Sequence, residues 1–159
     1  MTPEQIAALP YRPCVGIVMT NTAGLIFAGQ RTDMTTPAWQ MPQGGIDKGE
    51  SPQQAGLREL TEETGINPDQ VTIMGETKDW LPYDLPVDVI PKRWDGKYRG
   101  QKQKWLWVQL DAPDNAINLT AHDVEFSQWA WMTGPDLLTA IVPFKQPLYK
   151  QVLREFRLC

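Results

Sequence analysis

Cysteine, histidine and long apolar runs are all scarce in this 159-residue chain. The two cysteines, Cys14 and Cys159, lie at opposite ends, which argues against a disulfide framework and favours free thiols in a reducing cytoplasm. The single histidine, His122, has no Cys or His cluster near it, so a zinc site is not expected. No window approaches the roughly 20 apolar residues of a membrane helix, and no basic run precedes an apolar stretch at the start. We therefore expect a cytoplasmic protein with no membrane association.

An excess of positive charge is also missing. Fifteen Lys and Arg against nineteen Asp and Glu give a net charge of −4, which excludes a generally basic nucleic-acid coat. An anionic substrate must therefore be bound by a local patch. The length and a hydrophobic content of 42% predict a single domain over residues 1–159, with its core between about 10 and 156.

Strand and helix patterns alternate along the chain. A hairpin is predicted from residues 15–19 and 25–28, and further strands from residues 71–74, 105–110 and 129–132. Residues 39–49 contain several Gly and Pro and predict a loop. A helix begins after Ser51 and ends near Gly65, and a second, amphipathic helix covers residues 147–156. These elements predict an α/β or α+β domain.

The first of these helices carries the most informative pattern. Glu59, Glu62 and Glu63 are related by three and four residues, so they lie within about 100° of one another on one helix face. The opposite face is apolar, so the acidic face is expected at an open surface. Three neighbouring carboxylates repel one another unless a cation lies between them, and oxygen ligands suit Mg²⁺ or Mn²⁺. The spacing therefore predicts a metal site.

Two neighbouring features fit that site. Arg58 can reach Glu62 one turn ahead or Glu50 at the end of the loop, and either ion pair would hold a carboxylate in place. Gly44 and Gly45 have no side chains where the loop must approach a metal and a phosphate, and a glycine carbonyl could add a metal ligand.

The whole pattern from Gly44 to Ile66 resembles the Nudix box at every defining position: Gly, five residues, Glu, seven residues, Arg-Glu-Leu, one residue, Glu-Glu, one residue, Gly-Ile. Segments outside the box resemble one branch of that family, the RNA pyrophosphohydrolases and dinucleoside polyphosphate hydrolases. These segments are residues 11–13, 39–46, 100–105 and 125–126. The resemblance implies a mixed sheet sandwiched between helices, and hydrolysis of a phosphoanhydride in a nucleotide polyphosphate.

The resemblance also implies roles for single residues. The metal would bind Glu59, Glu62, Glu63 and Glu125, and Gly44 is the glycine expected to add a metal ligand. Either Glu59 or Glu63 would be the general base, with Arg58 supporting the catalytic carboxylates. The expected substrate contacts are Arg12, Arg31, Gln43, Tyr83, Lys104, Phe144 and Lys145. Among these, Arg31 is the first candidate for stacking on a base.

Three functions remain open at this point. Six Lys and Arg between residues 92 and 104 form a local patch suited to a polyphosphate. The resemblance makes removal of pyrophosphate from the 5′-triphosphate end of RNA the leading interpretation. Asymmetric hydrolysis of diadenosine tetraphosphate is the alternative, and residues 36–42 and 45–47 look closer to that group. A non-catalytic nucleotide sensor is disfavoured because it would not need the complete glutamate set. No obligate protein partner is inferred.

Overall fold

The computed structural model describes residues 1–34, 38–122 and 124–159, and these ranges form one mixed β-sheet with helices on both faces. Strands β1 and β7 run parallel in the middle of the sheet, and the other strand pairs are antiparallel. The strands are β1 Tyr11–Thr20, β2 Ile26–Arg31, β3 Trp39–Gln40, β4 Gln43–Gly45, β5 Val71–Glu76, β6 Leu81–Asp84, β7 Gly100–Leu110 and β8 Phe126–Met132.

The helices are α1 Pro3–Ala7, α2 Pro52–Thr64, α3 Gly134–Ala140 and α4 Gln146–Glu155. Alternate residues of β1 point to opposite faces and so belong to two separate cores. Ile17 packs with Leu60 of α2, whereas Val18 packs with Tyr149 of α4 and Leu137 of α3. The predicted sandwich of a mixed sheet between helices is confirmed.

Helix α2 begins and ends where the sequence predicts. The Ser51 hydroxyl accepts the Gln54 N–H at 3.1 Å, and the Gln54 side chain accepts the Ser51 N–H at 2.9 Å, which is a complete capping box. Gly65 closes the helix with a left-handed φ of 75°. Since this helix carries the glutamates, its caps fix where they lie along the sheet.

The prediction of a loop over residues 39–49 is wrong in part. Residues 39–40 and 43–45 form β3 and β4, because β4 pairs with β1 and β3 pairs with β2. Glycines that disfavour an isolated strand are tolerated there because long-range pairing supplies the hydrogen bonds. The short strand β6 and the helices α1 and α3 were not predicted, and β7 begins five residues before the predicted 105–110.

Within the described ranges, no helix is long and apolar enough to cross a membrane.

Candidate active site

A polar cleft of about 360 Å³ opens between α2, β4, the start of β1 and the segment before β7. Apart from Asp33, its charged residues fall into two groups. The acidic cluster is formed by Glu59, Glu62, Glu63 and Glu125, and the basic cluster by Arg12, Arg31 and Arg93. The cleft is also lined by Asp33, Gln40, Gln43, Gly44, Gly45, Trp94 and Gln101.

Glu63 is the deepest member of the acidic cluster. Its side chain is almost fully buried, at 4% exposure, and its Oε2 accepts the backbone N–H of Gln43 at 3.0 Å. Burial, together with the nearby charges of Glu59 and Glu125, raises the pKa of the Glu63 carboxyl well above its usual range. Glu125 is more than sixty residues from Glu63 in the chain and is brought to α2 only by the fold.

Glu59 lies beside β4, where it fills the space above Gly44. A Cβ at position 44 would lie 2.0 Å from Glu59 Cδ, so only glycine fits without moving the carboxylate. Burial raises the pKa of Glu59 to about 7, although hydrogen bonding by Arg58 opposes that shift. The expectation of an open acidic surface is therefore wrong for Glu59 and Glu63, because β4 covers this side of α2 and forms a cleft wall.

Arg58 binds three glutamates at once. Its Nε and Nη2 donate to Glu50 at 2.8 and 2.9 Å, and its Nη1 donates to Glu59 at 2.9 Å and Glu62 at 3.1 Å. Its Nη2 also donates to the Gly45 carbonyl at 2.9 Å. The hydrogen bonds from Arg58 lower the pKa of Glu50 to about 2. Both predicted partners are therefore contacted together, and Arg58 joins the loop before α2 to the acidic cluster.

The acidic cluster suits a hard divalent cation. Four carboxylates line the cleft, and their mutual repulsion contributes to the raised pKa of Glu59 and Glu63. A divalent cation would reduce this repulsion between the carboxylates. In the part of the chain that is described, no three acidic, Cys or His side chains already converge on a metal position. Glu59 accepts a hydrogen bond from Arg58, and Glu63 accepts one from the Gln43 N–H.

The basic cluster has guanidinium groups in two different settings. Arg31 is paired with Asp33 by two hydrogen bonds, one of them from Nε to Oδ1 at 2.8 Å, and its side chain is 15% exposed where it lines the cleft. Arg12 donates to Cys14 Sγ at 3.1 Å and lies beside Gly45, where a Cβ would be 2.4 Å from its Nη2. Each glycine of the pair thus makes room for a different charged side chain.

The chain matches the model of the NUDIX domain over residues 10–152, which is most of its length. The protein belongs to the Nudix family. The RNA pyrophosphohydrolase of Roseobacter denitrificans is 55% identical to this chain over 156 residues, covering 98% of both proteins. The RNA pyrophosphohydrolase of Dinoroseobacter shibae is 49% identical with the same coverage. Nudix hydrolases generally act with divalent metal ions, in agreement with the acidic cluster.

Solved Nudix structures have the same fold. A C. elegans Ap4A hydrolase in a binary complex superposes with a TM-score of 0.67 at 23% identity, covering 92% of this chain and 98% of that one. The E. coli dihydroneopterin triphosphate pyrophosphohydrolase superposes with a TM-score of 0.72 at 19% identity, covering 92% and 99%. At these identities the likeness establishes the Nudix fold and nothing about the substrate.

Several predicted site residues of this Nudix domain lie in the cleft wall, and Gln43 is the best anchored of the polar ones. The side-chain oxygen of Gln43 accepts from Gln103 Nε2 at 3.0 Å, and the same Nε2 donates to Gln101 at 2.8 Å. These contacts, with the backbone bond to Glu63, join Gln43 of β4 to both β7 and α2. Arg12, Arg31, Gly44 and all four predicted metal glutamates also line the cleft.

Tyr83, Phe144 and Lys145 form a separate group behind the wall of the cleft. The Tyr83 ring lies 6.0 Å from the Phe144 ring and 5.8 Å from Lys145 Nζ. Lys145 is 2% exposed and donates to Gln40 Oε1 at 3.3 Å, and burial lowers the pKa of its ammonium to about 7, with Arg31 and Arg93 adding repulsion. Only Phe144, which is 40% exposed, presents a large surface to solvent.

Lys104 is not brought to the cleft. Its Nζ donates to the carbonyls of Thr77 and Lys78 at 3.3 and 2.7 Å and lies 5.9 Å from the Trp80 ring. The alternation of β7 is the reason, because Gln101 lines the cleft and the even-numbered Lys104 points to the opposite face. The structure therefore gives no support to Lys104 as a direct substrate contact.

Arg93 and Trp94 were not proposed as site residues from the sequence, yet both line the cleft. Arg93 belongs to the basic segment 92–104, but charge alone did not separate it from the solvent-exposed lysines on either side. A tryptophan is most often a core residue, so Trp94 carried no functional signal. Only the fold places these two residues beside Arg12.

Proposed function

We propose that this protein is a metal-dependent Nudix hydrolase that removes pyrophosphate from the 5′-triphosphate end of RNA. The observation that carries the proposal is a single cleft with four glutamates and three arginines in its walls, in a chain similar over nearly its full length to proteins named RNA pyrophosphohydrolase. Carboxylates suit a divalent ion, and guanidiniums suit phosphate oxygens. A nucleotide polyphosphate needs both.

In the proposed reaction, water attacks a phosphorus atom of the triphosphate, the bridging P–O bond breaks, and pyrophosphate leaves. The water proton passes to Glu59 or Glu63, each of which lies in the cleft wall next to β4. Mg²⁺ or Mn²⁺, held by Glu59, Glu62, Glu63 and Glu125, would supply positive charge that offsets the phosphate oxygens and lowers the pKa of the attacking water. Arg58 would keep Glu59 and Glu62 in position.

The other end of the substrate would lie along the basic side of the cleft. Arg12 and Arg93 are suited to phosphate oxygens, and the planar guanidinium of Arg31, which also lines the cleft, is suited to stacking on a base. Tyr83, Phe144 and Lys145 support the floor next to Gln40, and the exposed Phe144 ring offers a second stacking surface. An RNA substrate of this kind would place the enzyme in the cytoplasm.

The first test is a competition assay with purified protein and Mg²⁺, in which triphosphorylated RNA and diadenosine tetraphosphate are offered together at equal concentration. We expect pyrophosphate and 5′-monophosphorylated RNA to appear first. Faster consumption of the dinucleotide would instead make the protein a dinucleoside polyphosphate hydrolase. Residues 36 and 37, part of the segment that resembles those enzymes, lie outside the described ranges. Reaction of neither substrate would return the sensor interpretation.

The matched variants are Glu59→Gln and Glu63→Gln, which keep side-chain size and remove the charge. We expect each to lose at least a hundredfold in kcat, with the variant of the general base losing more. Full activity in either variant, or hydrolysis of RNA in excess chelator, would contradict the metal mechanism.

A further inference from the structure

The segment before β7 has an unusual backbone at the cleft. Trp94, Asp95 and Gly96 are consecutive residues with positive φ, at 47°, 57° and 70°. Only the glycine adopts this region easily, and for a residue as large as tryptophan it is disfavoured. The turn is closed by bonds from Gly96 N to the Arg93 carbonyl at 2.9 Å and from Lys97 N to the Trp94 carbonyl at 3.2 Å. Contacts elsewhere must therefore hold Trp94 in place.

Trp94 packs against the neighbouring apolar core, and it also contacts two arginines. The guanidinium carbon of Arg12 lies 5.0 Å from the centroid of the Trp94 ring, and that of Arg93 lies 5.5 Å from it. Tyr98 packs its ring against Trp94 at 6.0 Å, nearly perpendicular. Arg12 comes from β1 and Arg93 from the turn itself, so the indole joins two remote parts of the chain. Arg12, Arg93 and Trp94 all line the cleft.

The arginines of this protein differ in what holds them. Arg58 is paired with Glu50, Arg31 with Asp33 and Arg99 with Asp84. Within the described ranges, Arg12 and Arg93 have no ion pair with a carboxylate. The face of an aromatic ring orients a guanidinium group that stacks on it. The ring does not neutralise the guanidinium charge or accept hydrogen bonds from its N–H groups. Both charges therefore remain available for an anion, with the N–H fork of Arg93 and the donors of Arg12 other than Nη1, which donates to Cys14 Sγ.

We propose that Trp94 is a positioning residue that sets Arg12 and Arg93 as a two-guanidinium clamp for the phosphate chain of the substrate. Each guanidinium can bind a different phosphate group in a bidentate manner, so the clamp selects a chain of two or more phosphates over a single phosphate. This inference rests on the proposed function for the identity of the substrate. The binding of a bare polyphosphate nevertheless tests it without catalysis.

The experiment is isothermal titration calorimetry of the full-length protein with inorganic tripolyphosphate, and separately with inorganic phosphate, in chelator. Trp94→Leu removes the ring, and Trp94→Phe keeps an aromatic face. The matched control is Trp80→Leu, because Trp80 lies under two lysines, at 4.9 Å from Lys102 Nζ and 5.9 Å from Lys104 Nζ, away from the cleft. Arg93→Gln, at an exposed position, is the second variant if Trp94→Leu folds poorly.

We expect Trp94→Leu and Arg93→Gln to weaken tripolyphosphate binding by roughly tenfold, and Trp94→Phe and Trp80→Leu by less than about threefold. The salt dependence of binding should be shallower in Arg93→Gln than in wild type. With triphosphorylated RNA, Trp94→Leu should raise KM more than it lowers kcat. Phosphate binding should be weak in every protein.

Unchanged tripolyphosphate binding in Trp94→Leu and Arg93→Gln would overturn the clamp, as would an equal loss in Trp80→Leu. A loss in Trp94→Phe as large as in Trp94→Leu would also overturn it, because the aromatic face would then be irrelevant. Failure of the proposed function gives a different result. In that case the protein would bind tripolyphosphate through the clamp and yet leave triphosphorylated RNA intact.

Discussion

Replacing Arg58 by Gln tests the idea that one guanidinium holds the acidic cluster together. Gln retains hydrogen-bond donors but loses the charge and the fork that now reach Glu50, Glu59 and Glu62. Without the guanidinium, Glu59 stays in the cleft wall with a side chain only 14% exposed and with no cation in contact among the described residues. The variant should therefore be both less stable and less active.

The magnitude follows from the exposure of the partners. Breaking a buried ion pair costs about 3–5 kcal/mol, and solvent reduces this here because the Arg58 side chain is 29% exposed. We expect a loss of about 2–3 kcal/mol in the free energy of unfolding of the metal-free protein. For a domain of this size, that is a fall of roughly 5–10 °C in Tm. The kcat should fall by about 10–100-fold, as when a residue that orients metal ligands is removed.

The assay is urea unfolding followed by tryptophan fluorescence, in chelator, for wild type, Arg58→Gln and Arg99→Gln. Arg99 is the matched control because it also pairs with a carboxylate, but that carboxylate, Asp84, is 57% exposed, whereas the Glu59 side chain is 14% exposed. Its loss should leave the urea midpoint nearly unchanged, since exposed ion pairs contribute little. Equal midpoints for wild type and Arg58→Gln, or an equal loss in both variants, would refute the reasoning.

Three further predictions concern single side chains. Gly44→Ala should fold, because only the end of the Glu59 side chain must move, but its kcat should fall about a hundredfold. The control Gly75→Ala, whose Cβ would meet Phe156 at 3.6 Å, should keep its activity. Equal kinetics in the two variants would contradict this prediction. The raised pKa of Glu63 makes the folded protein bind more protons than the unfolded chain above pH 4.5, so the ionised carboxyl destabilises the fold at high pH. Glu63→Gln should therefore have a higher urea midpoint than wild type at pH 8 in chelator. Burial lowers the pKa of Lys145 to about 7, so the unfolded chain binds more protons than the folded protein between pH 7 and about pH 10. In that range the stability of wild type relative to Lys145→Met should rise by roughly 1 kcal/mol per pH unit, and below it the difference should not change with pH. Parallel stability curves from pH 6 to 9 would argue against this prediction.

Local signals were the most reliable guide to the fold. The capping box at Ser51 and the left-handed Gly65 mark the two ends of α2, because the few residues at a helix terminus decide where the helix ends. The segment 39–49 was misjudged because its strands exist only through pairing with β1 and β2. The helix spacing correctly predicts Glu59 and Glu63 on one face of α2. It does not predict their burial, because β4, which covers them, is brought there by long-range pairing.

The sequence by itself determined the acidic helix face, its bounds and its likeness to the Nudix family, since all three depend on residues within one contiguous stretch. Tertiary structure alone decided which remote groups join that face. The parallel pairing of β1 with β7 places Arg12 next to Gln101, and the left-handed turn at Trp94 brings Arg93 to the same cleft. It also turned Lys104 away, because neighbouring strand residues point to opposite faces and only the packed sheet determines which face meets the cleft.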